Sequence, residues 1–385
     1  MKLAFQIAYK NLMGAGLRTW LNVAVLSFAF VMIIFFNGLM DGWNQEASRD
    51  SIAWEYGQGQ LLHENYDPYD PFSLEEGHGV LPSAIANEFE SILIQQGSIY
   101  PDGRMLSVQL KGINLDQNTL EIPTLILKNS EADIPVLIGK RMAETTKLKE
   151  GDEVLLRWRD INGTFDAANL TIAGVFDSNV GTIDNGQLWM PLKKLQSMTG
   201  LDNQVTLGIA KKEANYAAIS GWKFQSKETL LKNLSDIIAT KKISSSIFYL
   251  MLLAISLLAL FDTQVLSIFR RQKEIGTFIA LGMTRQQVVG LFTVEGSMYS
   301  LFAIVLGAAY GTPLLWLLAK TGIPIPAASQ DAGVAISDTM YPVYGFGLIA
   351  ITILLIIIAA TIVSFLPATK IAKLNPVNAL KGKIQ

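Results

Sequence analysis

Four long apolar runs interrupt the chain: Trp20 to Met40, Ile243 to Phe269, Val288 to Ala319 and Val343 to Leu366. Each meets the roughly 20 residues that a helix needs to cross a hydrocarbon core about 30 Å thick. Membrane-spanning helices are therefore predicted over 20–40, 243–269, 288–319 and 343–366. A buried core helix is the competing reading, and runs of this length weigh against it. A cleaved signal peptide competes for the first run, but Asn37-Gly38-Leu39-Met40-Asp41-Gly42 lacks a small-x-small cleavage site.

Between the first two runs the pattern changes. Residues 41–242 carry short strand-like stretches at Gln60 to His63, Met105 to Gly112, Glu153 to Arg157, Leu170 to Phe176 and Gln187 to Met190, with Asn162-Gly163 as a hairpin turn. A helix is expected from Lys140 through Lys147, and Tyr66 to Gly79 reads as a loop. The fold class is thus an α-helical membrane protein of four spans with an inserted α+β domain. Leu230, Leu231, Leu234 and Ile238 recur at helical spacing, and no Pro or Gly separates them from the second span. One long helix shared between membrane and water is expected there. Residues 1–19 read as an interfacial helix, with Leu3, Phe5, Ile7, Leu12 and Met13 on a ragged apolar face.

Charge orients this arrangement. Lys2, Lys10 and Arg18 precede the first run, Arg270, Arg271, Lys273 and Arg285 lie between the second and third, and Lys370, Lys373, Lys381 and Lys383 follow the fourth. The short loop 320–342 holds Lys320 against Asp331 and Asp338. Positive charge is retained on the cytoplasmic side, so 1–19, 270–287 and 367–385 are expected to be cytoplasmic, and the inserted domain and 320–342 external. The domain 41–242 carries 19 basic and 28 acidic residues, which argues against nucleic acid as a ligand. The sequence contains no cysteine, so disulfides are excluded.

The chemistry is marked by what is lacking. No G-x-x-x-x-G-K-[ST] loop is present to cradle phosphates, and Gly139-Lys140 lacks its preceding glycine. The two histidines, His63 and His78, do not form a metal cluster, and no hydrolase signature emerges. Within the membrane, Gly307 and Gly311 lie one turn apart and would permit close helix approach. Asp262 and Glu295 sit inside apolar runs near the cytoplasmic edge, where solvated or salt-bridged structural roles outweigh a proton relay. In the segment after the second span, Ile275, Phe278, Ile279 and Met283 can share one helical face with charge opposite. Periodicity leaves two readings open for this helix: a plug for a partner's groove or a helix on lipid headgroups.

That same segment, Arg271-Gln272-Lys273-Glu274-Ile275-Gly276-Thr277-Phe278-Ile279-Ala280-Leu281-Gly282, resembles the R-x-x-E-I-G-x-x-x-A-x-G signature of the FtsX-like/MacB-type ABC transporter permease family. Ala8-Tyr9-Lys10-Asn11-Leu12 with Arg18-Thr19 is similar to the family's opening. Leu366-Pro367-Ala368 and Asn375-Pro376-Val377-Asn378-Ala379-Leu380 are similar to its tail. Ile138 to Ala143, Leu148 to Asp152 and Ala173 to Phe176 resemble the MacB-like periplasmic core domain.

The resemblance implies a non-catalytic permease in a bacterial inner membrane, paired with a second copy or paralogue and docked on a cytoplasmic ABC ATPase dimer. ATP and Mg would bind that partner, and no cofactor or metal is expected on this chain. Arg271, Glu274, Ile275, Gly276, Phe278, Leu281 and Gly282 are then the expected ATPase-coupling residues. Membrane lipids would meet the spans, and a substrate entering between protomers would meet Met32, Phe35, Phe36 and Leu39 on the first span and Tyr249, Leu252 and Leu253 on the second. Without a fused nucleotide-binding domain, the layout is nearer to the LolC/LolE lipoprotein-releasing permeases. The implied work is extraction or export of a lipid-bearing or amphiphilic substrate, with lipoproteins and a periplasmic carrier or adaptor as further partners. A MacB-like efflux or peptide-export permease, or an FtsX-like mechanotransmitter acting on a periplasmic enzyme, is the alternative.

Overall fold

The computed structural model describes residues 16–213, 216, 219–324 and 339–369, with Arg18 described by its backbone alone. The interfacial helix expected over 1–19 and the tail over 367–385 lie almost wholly outside the described residues. Those described form two compact units, one built from residues up to Gly42, Ile238–Ile323 and Tyr341 onward, the other from Trp43–Ile237 with Pro324, Thr339 and Met340.

The first described helix is α1, Leu17–Ser51, continued by a π turn at Ile52–Tyr56. It thus extends well beyond the 20–40 that its apolar run marks. Two glycines inside it are required by packing. A Cβ on Gly38 would lie 2.4 Å from the Tyr344 ring, and one on Gly42 would lie 2.1 Å from the Tyr341 carbonyl oxygen.

In the inserted unit, nine strands follow: β1 Gly59–His63, β2 Phe89–Ile99, β3 Leu106–Ile113, β4 Pro135–Gly139, β5 Glu153–Arg159, β6 Phe165–Phe176, β7 Gln187–Pro191, β8 Leu207–Ala210 and β9 Trp222–Ser226. Short helices lie between them: α2 Thr124–Asn129, α3 Lys140–Thr146, α4 Gly181–Asp184 and α5 Leu192–Thr199. Strand order is β3-β7-β4-β6-β5-β2-β8-β1-β9, and β2 also pairs with β3 from Ile92↔Ile113 to Ile99↔Leu106. That second pairing closes the first six strands into a mixed barrel. The sequence reading of α+β did not include this closure. A branch of β8, β1 and β9 leaves the barrel at Phe89 to Ile92 of β2.

Alternation explains the barrel's interior. In β5, Val154, Leu156 and Trp158 point inward and their neighbours outward. They meet Leu93 and Ile99 of β2, Leu110 of β3, Ile172 of β6 and Leu188 of β7 in one core. Each such side chain contributes about 1.5–3 kcal/mol by leaving water. The outer face of β2, β3 and β7 is covered as well, since Ile94, Ile113 and Trp189 belong to a second buried cluster. The Asn162-Gly163 turn joins β5 to β6 as expected, with Gly163 at φ 80° and Asp160 Oδ1 accepting from the Asn162 and Thr164 amides.

The remaining helices are α6 Lys227–Arg270, α7 Gln272–Ala280, α8 Arg285–Thr321 and α9 Phe346–Ala368. α6 is one unbroken helix of 44 residues, about 66 Å at 1.5 Å per residue. α1, α6, α8 and α9 are long and apolar enough to cross a membrane. They are not equivalent. The apolar window of α1 is 56% buried in the protein, whereas those of α6, α8 and α9 are each 17% buried. Val23, Leu26, Phe30 and Ile34 of α1 pack with Leu260 of α6, Ala303 of α8 and Ile356 of α9.

Candidate functional site

The short helix α7 sits between α6 and α8, and its two faces have different fates. Ile275 is 0% exposed and packs with Ile268, Val288, Phe292 and Ala368. Gly276 is also buried. Lys273, Glu274, Thr277 and Ala280 are exposed, and Leu281 is 79% exposed. The resemblance assigned seven residues here to ATPase coupling, and the structure turns Ile275 and Gly276 into this chain while Glu274, Leu281 and Gly282 face out. Phe278 is half-buried and joins the inner cluster from its edge.

Arg271 fixes this orientation. One guanidinium nitrogen, Nη1, donates to both carboxylate oxygens of Glu295 on α8, at 2.9 and 2.8 Å, and Nε donates to Glu274 at 2.7 Å. The guanidinium also lies 4.9 Å from the centre of the Phe292 ring. Glu295 is buried, so its charge is compensated by a partner 24 residues away that the fold alone brings near. A charge-assisted pair of this kind is stronger than a neutral hydrogen bond. Removing one partner strands the other in low dielectric. Sequence reading placed Glu295 among salt-bridged structural candidates without naming Arg271.

The end of α7 is also built by its sequence. Gly282 has φ 98°, the Met283 amide donates to the Phe278 carbonyl at 3.0 Å and the Gly282 amide to the Ile279 carbonyl at 3.1 Å. These are the two bonds of a Schellman cap, and Phe278 and Met283 both pack against the cluster around Ile275. Thr284 and Gln287 then cap α8 reciprocally. The cap leaves Leu281 projecting between two helices.

Within the spans, a Cβ on Gly307 would lie 2.7 Å from Phe30, and one on Gly311 would lie 2.7 Å from Val31. Both glycines therefore let α8 approach α1. Gly296, which sequence reading passed over, is tighter still, with Ser364 Oγ 2.2 Å and Gln264 Nε2 3.0 Å from its Cβ position. Polar contacts also lie on α1 and α6. Asn22 donates to Thr263 Oγ1 and to the Ala259 carbonyl, and Ser256 donates to Leu252. Among the residues expected to meet substrate, Leu253 is buried in the helical core. Met32, Phe35, Phe36, Leu39, Tyr249 and Leu252 are half-buried. Asp262 is exposed on α6.

The described residues thus hold four helices long and apolar enough to cross a membrane, with a clamped amphipathic helix between the second and third. Residues 246–376, a stretch that includes α7, match the family described as FtsX-like permease C-terminal. The resemblance carried by Arg271 to Gly282 stands at that family level.

Among curated proteins, the chain is similar to a lipoprotein-releasing system transmembrane protein LolC of Xylella fastidiosa, 20% identical over 272 residues. The aligned stretch covers 64% of this chain and 64% of that protein, less than two thirds of the relative's length. A LolC from a second strain of the same organism gives the same identity and coverage. An uncharacterized ABC transporter permease of Methanocaldococcus jannaschii is 29% identical over 160 residues, covering 40% of this chain and 37% of the relative.

Proposed function

We propose that this chain is the membrane subunit of an ABC transporter, working with a cytoplasmic ATPase dimer that binds ATP and Mg, and with a second permease copy or paralogue. The observation that carries this reading is α7. Its inner face is held by Ile275 and the Arg271–Glu295 pair, and its outer face offers Lys273, Glu274, Thr277, Ala280 and Leu281 as a rigid surface beside a cap. A helix that only rests on lipid headgroups has no need of a clamp to a neighbouring span. A helix that transmits displacement from a motor does.

In this reading both termini are cytoplasmic, the barrel domain takes the part of a MacB-like core across a bacterial inner membrane, and the substrate is lipid-bearing or amphiphilic. The name of the LolC relatives supports lipoprotein release as the particular task. Isolating the complex from native membrane tests it. An ATPase subunit together with acylated proteins is the expected result. An ATPase with an outer-membrane channel and adaptor, or with a cell-wall hydrolase, replaces lipoprotein release by efflux or mechanotransmission. Absence of any ATPase overturns the transporter itself.

A further inference from the structure

The inserted unit contains a cleft of about 1280 Å³ that the permease reading leaves unused. Its floor is the outer face of three adjacent strands. Pairing of β2 with β3 and of β3 with β7 aligns Ile94, Lys111 and Trp189 in one row and Gln96, Gln109 and Gln187 in the next. All six side chains line the cleft. Its walls bring further polar groups, including Gln60 of β1, Gln225 of β9 and Asn233 of α6, together with the rings of Tyr56, Tyr66 and Tyr69.

Three of the floor groups lack a hydrogen-bond or ion-pair partner among the described residues. Lys111 is 7% exposed and makes no ion pair or hydrogen bond among the described residues, its ammonium lying 5.0 Å from the centre of the Trp189 ring. Gln187 Oε1 and Trp189 Nε1 have no hydrogen-bond partner among the described residues, though both side chains are more than nine-tenths buried. A buried cation without an anion, an amide oxygen without a donor and an indole N–H without an acceptor each cost free energy in the folded protein. Burial pushes the Lys111 ammonium down from the usual lysine range, with Glu55 opposing from beyond ion-pair distance. An interior lysine is ordinarily selected against unless something pairs with it.

We infer that this cleft binds an acidic saccharide, a polyhydroxylated ligand whose carboxylate or phosphate pairs with Lys111 while its hydroxyls serve Gln187, Trp189 and the neighbouring glutamines. Two facts choose this class over a plain anion or a hydrocarbon acid. A row of glutamines offers donors and acceptors in alternation, which hydroxyl groups match because each is both. The volume exceeds what an isolated phosphate or carboxylate would fill and lies above the usual range for small ligands, ~300–1,000 Å³. The tyrosine rings add flat surfaces suited to sugar faces. The inference is independent of the transport reading, since it concerns the inserted unit alone and its test needs no ATPase.

The test is calorimetric titration of the full chain in detergent with trigalacturonate, glucose 6-phosphate, neutral maltotriose, inorganic phosphate and an acidic tripeptide. Binding of the acidic sugars at least tenfold tighter than maltotriose, phosphate or peptide is expected. Lys111→Met should lose at least tenfold for the acidic sugars while its thermal transition lies at or above the wild-type one, because it removes an unpaired charge. In 15N spectra, the indole N–H resonance assigned to Trp189 by its absence in Trp189→Phe should shift on adding trigalacturonate. Equal binding of phosphate, maltotriose or peptide overturns the saccharide assignment. Unchanged affinity in Lys111→Met, or no binding of any probe, overturns the site, leaving ordered water as the partner of these groups.

Discussion

Arg271 and Lys111 pose the same physical problem and solve it differently. Each is a cation withdrawn from solvent beside an aromatic ring, at 4.9 Å from Phe292 and 5.0 Å from Trp189. Arg271 has two carboxylates, Glu295 and Glu274, arranged around its guanidinium. Lys111 has none within ion-pair distance among the described residues. A cation with its anions supplied by the same chain is a clamp, satisfied in the resting protein. A cation without them is a receptor, at some cost to stability until a ligand arrives.

Substitution should separate these two roles, and the largest effect falls on the clamp. Arg271→Ala takes the ion-pair partner from buried Glu295 and should cost about 3–5 kcal/mol, read as a lowered thermal transition of the purified protein. Glu295→Gln should lose less, because it leaves a neutral group, while Arg271 keeps Glu274. If Arg271→Ala melts like wild type, the pair does not hold α7. Leu281→Asp comes next. Its exposed position keeps the stability change within about 0.5 kcal/mol. In the proposed transporter, however, ATP hydrolysis should cease to support transport, falling at least tenfold; normal transport would remove Leu281 from the contact.

Lys111→Met should act in the opposite sense to Arg271→Ala, raising stability by roughly 1 kcal/mol as an unpaired charge gives way to an apolar side chain of similar length. A loss of stability instead would place Lys111 with the clamps. The smallest effect concerns pH. Burial pushes the Asp184 carboxyl up to about 6, against the opposing influence of Arg141. An acid whose folded pKa lies above its unfolded value of about 3.9 binds more protons when folded. Stability should therefore decline as pH rises from about 4 to about 6 and level off beyond, and Asp184→Asn should flatten that slope in thermal scans.

The four spans were legible because run length is a one-dimensional property. So was the β5–β6 hairpin, whose alternation and Asn-Gly turn are local. β2 escaped because Ile92, Leu93 and Ile94 are all buried, two toward one cluster and one toward the other, and a strand covered on both faces shows no alternation. β4, a run of five buried residues, escaped for the same reason. The barrel's closure depends on β2 pairing with both β3 and β5, which no local pattern encodes. Around α7 the sequence marked the segment and its amphipathic face. It could not show that Arg271 turns inward to Glu295, because that depends on how the Gly282 cap folds α8 back. Lys111 looked like an ordinary polar strand residue, since the burial of β3's outer face is supplied by distant segments.

The pairing of β1 with β9 has a consequence for how such proteins diversify. Gly59, where the first strand of the inserted unit begins, lies opposite Ser226, where its last strand ends. An insertion whose two ends are sheet neighbours asks nothing of its host except two adjacent attachment points, the geometry in which domain insertion is tolerated. The barrel can thus be exchanged for another module by recombination at those two points, while Tyr56 and Asn233, which wall the cleft, stay with the host helices.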